Sequence, residues 1–181
     1  GHSAGGAVAL RLALDGLPVS HILALNPALA PFSGFAGFLF PLMARALALN
    51  PFAAPFLAGA AGRSGRVAEL LETTGSRIDD EGMRLYGRLV GDARHIDGAL
   101  KMMARWDLKP LLRDLPELTV PVTMALGLKD GTVPTETTKA ELHRIPSVEV
   151  LEMPEHGHLM HEAEPGRFAD LILAKLDPAC S

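Results

Sequence analysis

A serine stands between two glycines in Gly1-His2-Ser3-Ala4-Gly5, and the helix-forming run AGGAVALRLALD overlaps it. That arrangement suits a nucleophile held on a tight turn into a helix. Glycines at positions 1 and 5 are expected, because a side chain at either would collide with a neighbouring strand or helix. The helix start offers unpaired N–H groups, and the amide of Ala4 is the expected donor to an oxyanion. The competing reading is a glycine-rich turn carrying an ordinary loop serine.

Two further clusters bear on that choice. Asp130 lies in GLKDGTVP, residues 127–134, just past the apolar run PVTMAL, where the carboxyl end of a strand would present it. Asp-Gly is also a common turn pair, so a purely turn-shaping Asp130 is the alternative. His158 lies in PEHGHLMHE, residues 154–162, with Gly157 before it giving the loop freedom to turn inward. His156, His158 and His161 fall within six positions, which also fits metal ligation, although no cysteine or clear carboxylate completes a shell. Order favours the nucleophile reading. Asp130 follows Ser3 by 127 positions and His158 follows Asp130 by 28, an order of serine, acid and histidine that differs from those of chymotrypsin and subtilisin folds.

The elements that must position these residues alternate. Residues 4–15 read as a helix stopped by Gly16, and His21 to Leu25 as a short strand ending at Asn26-Pro27. Leu108–Leu115 predicts a short helix, Pro121–Leu126 a buried strand, Thr135–Arg144 a helix, Val148–Leu151 a strand, and Pro165–Leu176 a closing amphipathic helix. This rhythm predicts an α/β fold with a parallel sheet and crossover helices. Residues 31–106 interrupt it with helical patterns alone. Val67, Leu70 and Leu71 share one expected face, Asp79 or Asp80 caps the next helix, and Ile96, Leu100 and Met103 line another. The expected organisation is therefore core at 1–30, a helical cap at 31–106, and core again at 107–181.

The composition narrows the function classes. The net charge is −4 over 181 residues, which argues against a general nucleic-acid binder. The single cysteine, Cys180, forms no internal disulfide, in keeping with a cytoplasmic setting. The apolar stretch at 34–61 carries Arg45, Asn50 and prolines at 41, 51 and 55, so a buried or interface-facing helical pair is expected rather than a membrane span. Peripheral membrane contact stays open.

GHSAGG, GLKDGTVP and HGHLMHEAEP together resemble the α/β-hydrolase fold along the whole chain. The resemblance implies that Ser3 is the nucleophile, His158 the general base and Asp130 the carboxylate that orients it. It implies no cofactor. It also places further strands, and the loop carrying a second oxyanion donor, before Gly1, so the chain reads as the C-terminal part of such a fold. NPAL at 26–29, TGSRIDDEGMRLYGRLV at 74–90 and HIDGALKMMARWDLKPLLRDLP at 95–116 are similar to the magnesium-chelatase accessory hydrolases of bacteriochlorophyll synthesis.

Two functions from different classes follow. One is hydrolysis of an ester or acyl compound with a large apolar, tetrapyrrole-like portion, the cap contributing Phe32, Phe35, Phe38, Phe40, Phe52 and Phe56. The other is a non-catalytic porphyrin-handling or chelatase-binding accessory on a hydrolase fold. Perhydrolase or lyase chemistry on the same three residues is a further alternative. Magnesium chelatase subunits are the expected protein partners. Asp107 is a weaker rival for the acid role, and His2 reads as a motif filler beside the serine.

Overall fold

The computed structural model describes residues 1–30, 43, 45–61 and 66–176. The chain divides into two units, one of Gly1–Ala30, Thr73–Arg77 and Leu108–Ser181, the other of Pro31–Glu72 and Ile78–Asp107. Thr73–Arg77, inside the stretch that sequence patterning assigns to the insertion, thus group with the sheet.

The first unit is a parallel sheet of β1 (Ile22–Leu25), β2 (Val122–Gly127) and β3 (Val148–Met153), in that order. β2 is buried at every position, as its largely apolar run, broken only by Thr123, suits a central parallel strand. β3 is at the side and keeps Glu149 and Glu152 exposed. Register pairs Ala24 with Met124 and Leu25 with Ala125, so successive side chains feed opposite faces of the sheet. On one face Leu25, Ala125 and Met153 meet Met160 and Phe168, supplied by α8 (Met160–Ala163) and α9 (Pro165–Leu176). On the other, α1 (Ala4–Leu14) turns Ala7 and Leu10 inward. α1 also lies against α6 (Lys109–Asp114), where Arg11 donates to Asp114 at 2.8 Å.

The expected elements appear with small shifts, and one is divided. The helix expected over Thr135–Arg144 is α7 (Thr135–Lys139) followed by a separate 3₁₀ turn at Leu142–Arg144. The turn before Ser3 also carries more structure than the sequence suggests. His2 forms a parallel bridge to Leu25, Leu25 N–H donates to Gly1 O at 2.8 Å, and Ser3 N–H donates to Leu25 O at 3.0 Å. Gly1-His2 therefore runs beside β1 as sheet.

Among its described residues the second unit contains helices and the turns between them, with no strand. It contains a helical stretch at 45–49, α2 (Ala53–Ala61), α3 (Arg66–Glu72), α4 (Asp80–Gly91) and α5 (Ala93–Ala104). α2 packs on α4 and α5, and α3 on α4. Asp79 caps α4 by accepting from Gly82 N–H, and Asp92 caps α5 by accepting from Arg94 N–H. Leu71 is buried, but Leu70 is exposed and does not share its face; one position of rotation, about 100°, carries it off the buried stripe. Residues 34–42 and 44 of the apolar stretch at 34–61, and with them Phe32, Phe35, Phe38 and Phe40, lie outside the described residues. Among the described residues no helix is long and apolar enough to cross a membrane.

Candidate active site

Ser3 sits at the N-cap of α1 with φ 51° and ψ −122°, a strained conformation for a residue bearing a Cβ. A serine at that position ordinarily bonds its hydroxyl to the first turn of its own helix. Here Oγ makes no such cap. The main chain holds the strain instead, with Ser3 O accepting from Gly6 and Ala28 N–H, each at 3.0 Å. The Ala4 N–H has no acceptor among the described residues.

Close approach explains the glycines, though not as the motif suggests. A Cβ on Gly1 would stand 2.4 Å from Gly5 O, and one on Gly6 would stand 2.7 Å from the Pro27 Cβ. A Cβ on Gly5 would meet nothing within 4 Å. The expected clash at position 5 is therefore corrected to position 6, where α1 crosses the loop after β1.

Asp130 and His158 meet. Nδ1–H of His158 donates to Asp130 Oδ2 at 2.7 Å, and both residues are at least nine-tenths buried. The other carboxylate oxygen accepts from Thr132 N–H at 2.7 Å and Val133 N–H at 2.8 Å. The turn-shaping and histidine-binding readings of Asp130 are thus divided between its two oxygens. Nε2 of His158 has no hydrogen bond among the described residues, Ser3 Oγ included.

The imidazoles part company. His156 turns its ring edge-on to Phe168, 5.9 Å away, and lies 3.2 Å from the Glu164 carboxylate. His161 and His158 each stack against His2, at ring separations of 4.4 and 4.6 Å. Among the described residues no three His, Cys, Asp or Glu side chains converge to hold a metal ion. Burial lowers the His2 pKa to about 4, with the neighbouring His158 and His161 adding to the effect, and burial also lowers that of His161. Both neighbours are therefore neutral near pH 7, and the Asp130 carboxylate is hydrogen-bonded to His158 alone among these rings.

Several contributors escape the sequence. His2 is no filler, since its Nε2–H donates to the carbonyl of His158 at 2.9 Å. Asn26 donates from Nδ2 to the carbonyls of Gly157 and His158, each at 3.0 Å. Thr74 O accepts from His158 N–H at 2.8 Å, and Ser76 Oγ accepts from Leu159 N–H at 2.8 Å. Gly157 faces this segment so closely that a Cβ would stand 2.3 Å from the Gly75 carbonyl carbon. Gly157 thus permits a close approach; its φ is not positive. The available signals were faint: a histidine beside the serine, and an asparagine where a strand meets a proline. A cavity of about 600 Å³ lies beside the histidine loop, lined by Ser76, Arg77, Lys129, Glu155 and His156 among others, but not by Ser3, Asp130 or His158.

Known proteins resemble this chain in sequence and fold. The family model described as "Alpha/beta hydrolase family" matches residues 1–171. The chain is 42% identical over 177 residues to the magnesium-chelatase 30 kDa subunit of Rhodobacter capsulatus, covering 98% of this chain and 62% of that protein. Among solved structures, MenH from S. aureus matches with TM-score 0.72 and 20% identity, over 97% of this chain and 66% of that one. An esterase from Exiguobacterium antarcticum matches with TM-score 0.68 and 18% identity, over 97% and 65%. At such identities these two structures speak to the fold alone. The strained serine turn, the parallel sheet and the length of the family match lead to one assignment: the chain belongs to the alpha/beta hydrolase family.

Proposed function

We propose that Ser3, His158 and Asp130 form the catalytic centre of a serine hydrolase, with Ala4 N–H as one oxyanion donor. The observation that carries this is the buried Nδ1–H···Oδ2 bond from His158 to Asp130. It fixes the tautomer that leaves the Nε2 lone pair to take a proton. In the reaction Ser3 Oγ attacks the acyl carbon as its proton passes to His158 Nε2, and the oxyanion accepts from Ala4 N–H. Collapse expels the alcohol, which takes that proton. Water, deprotonated by His158, then releases the acid from Ser3. The Asp130 carboxylate stays charged and steadies the imidazolium. The helical unit, residues 31–72 and 78–107, serves as the cap in this reading. The substrate is an ester or acyl compound with a large apolar, tetrapyrrole-like part. The 42% identity to a magnesium-chelatase subunit supports this class and an association with magnesium chelatase in bacteriochlorophyll synthesis. The exposed side chains of Phe52 and Phe56 suit such a ligand.

The test uses the intact protein with p-nitrophenyl esters of increasing chain length, following both turnover and the acyl-enzyme by mass spectrometry. An acyl adduct on Ser3 that disappears in Ser3→Ala is the expected result. Folded protein with no adduct and no turnover above Ser3→Ala would refute it.

The relative's identity as a chelatase subunit also favours a second reading, in which the protein is a non-catalytic accessory. That reading predicts that Ser3→Ala leaves magnesium insertion and pigment formation unchanged, while bulky substitutions in the helical unit stop them. Loss of pigment in Ser3→Ala alone would exclude it.

A further inference from the structure

Asn26 directly follows β1 with φ 41° and is 2% exposed. The backbone there would be served equally well by glycine, so the conformation alone does not call for an amide side chain. What the side chain does is specific. Its Oδ1 accepts from Gly127 N–H at 2.7 Å, and its Nδ2 donates to the carbonyls of Gly157 and His158. Gly127 is the last residue of β2 and starts the loop that carries Asp130, while Gly157 and His158 belong to the loop that carries the base. One buried amide therefore ties the two loops to each other and to β1.

The carbonyl of His158 is held from a second side as well. His2, the residue before Ser3, donates to the same oxygen, and the N–H of His158 is taken by Thr74 O. Every main-chain polar group of His158 is thus anchored by a segment distant in sequence. With the ring fixed at Nδ1 by Asp130, no torsion is left loose between the scaffold and Nε2.

We infer that Asn26 is a positioning residue which, with His2, sets where His158 stands relative to Asp130 and Ser3. The inference rests on reading His158 as the base. A group that merely satisfies buried carbonyls would affect stability only; a positioning group also governs the Asp130–His158 bond and the rate of the step that uses it.

The experiment is made on the intact protein with Asn26→Gly, which keeps the left-handed backbone and removes all three side-chain bonds. Asn26→Asp accompanies it, keeping size and the acceptor for Gly127 N–H while turning an oxygen against two carbonyls. The readouts are the downfield proton resonance of His158 Nδ1–H, circular dichroism, and the kcat and KM for an ester. In both variants the folded protein is expected to lose that resonance to solvent exchange. kcat should fall about 100-fold with KM changed by no more than about threefold. Folded variants that retain the resonance and the wild-type kcat overturn the inference. Should neither variant fold, His2→Leu, which removes the second donor and keeps an apolar side chain against His158 and His161, decides. Loss of the resonance supports the clamp and an unchanged resonance overturns it. If the wild type turns over no ester while the resonance still depends on Asn26, the hydrolase reading fails and the positioning role stands.

Discussion

The sheet unit and the helical unit are held together in different ways. In the first, side chains close bonds across more than a hundred residues, as from Asn26 to Gly157 and His158, and Leu10, Ala24, Met124 and Met160 are essentially sealed from water. In the second, α4 has no buried residue and α5 buries only Ala104, while Leu85, Leu89, Met102 and Met103 stay exposed. Its polar contacts are largely local, including the Asp79 and Asp92 caps and the pairs Arg84–Glu81 and Lys101–Asp97. Fixed geometry is concentrated where the candidate chemistry is. The helical unit presents adaptable apolar surface, in keeping with the binding role proposed for it.

That contrast breaks most visibly at the core. Met124→Ala is expected to destabilise the protein by about 2–5 kcal/mol, and Leu89→Ala by less than about 1 kcal/mol, in urea unfolding. Equal losses would erase the distinction between the units. A finer version lies within α1. Gly6→Ala drives a Cβ into Pro27 and should cost about 1–3 kcal/mol, whereas Gly5→Ala should be neutral or stabilise by up to about 1 kcal/mol. Thermal unfolding of the two variants distinguishes a requirement of packing from one of the motif.

Much of the sheet unit is legible in the sequence because its signals are local. The βα alternation, the turn at Ser3, and the order of Ser3, Asp130 and His158 all follow from residue types and spacing. The direct bond between His158 and Asp130 is what the family resemblance implies. Illegible were the contacts made to main-chain atoms. Asn26 reaches carbonyls 131 and 132 positions away, and any residue type supplies a carbonyl. The return of Thr73–Arg77 to the sheet unit leaves no periodicity, being five residues between two helices. The displacement of the close contact from Gly5 to Gly6 depends on where α1 crosses Pro27, which spacing does not encode. In the helical unit residue type sufficed for the Asp79 cap of α4, yet periodicity placed Leu70 on the wrong face because a short amphipathic helix leaves its rotation underdetermined.

A pH measurement sharpens the comparison further. The His2 pKa falls from 6.5 in the unfolded chain to about 4 in the fold, so the unfolded state binds the extra proton between those values. Stability linked to His2 is complete above pH 6.5, declines as pH falls towards 4, and is level below it. His2→Gln should remove on the order of 1 kcal/mol of that decline, read as the change in urea midpoint across the window. An unchanged slope would mean that His2 is solvated rather than packed between His158 and His161. The smallest effect belongs to the helical surface, where Lys101→Gln should alter stability by less than about 0.5 kcal/mol, the usual worth of an exposed i,i+4 pair.

The central claim is that Ser3 is a nucleophile activated by the histidine bonded to Asp130. Treating the intact protein with a fluorophosphonate and locating the adduct by peptide mass spectrometry tests it most directly. The account predicts a single phosphonylated residue, Ser3, with labelling lost in Ser3→Ala and slowed at least about 100-fold in His158→Ala. Folded protein that takes no label, or that labels equally well without His158, would contradict it.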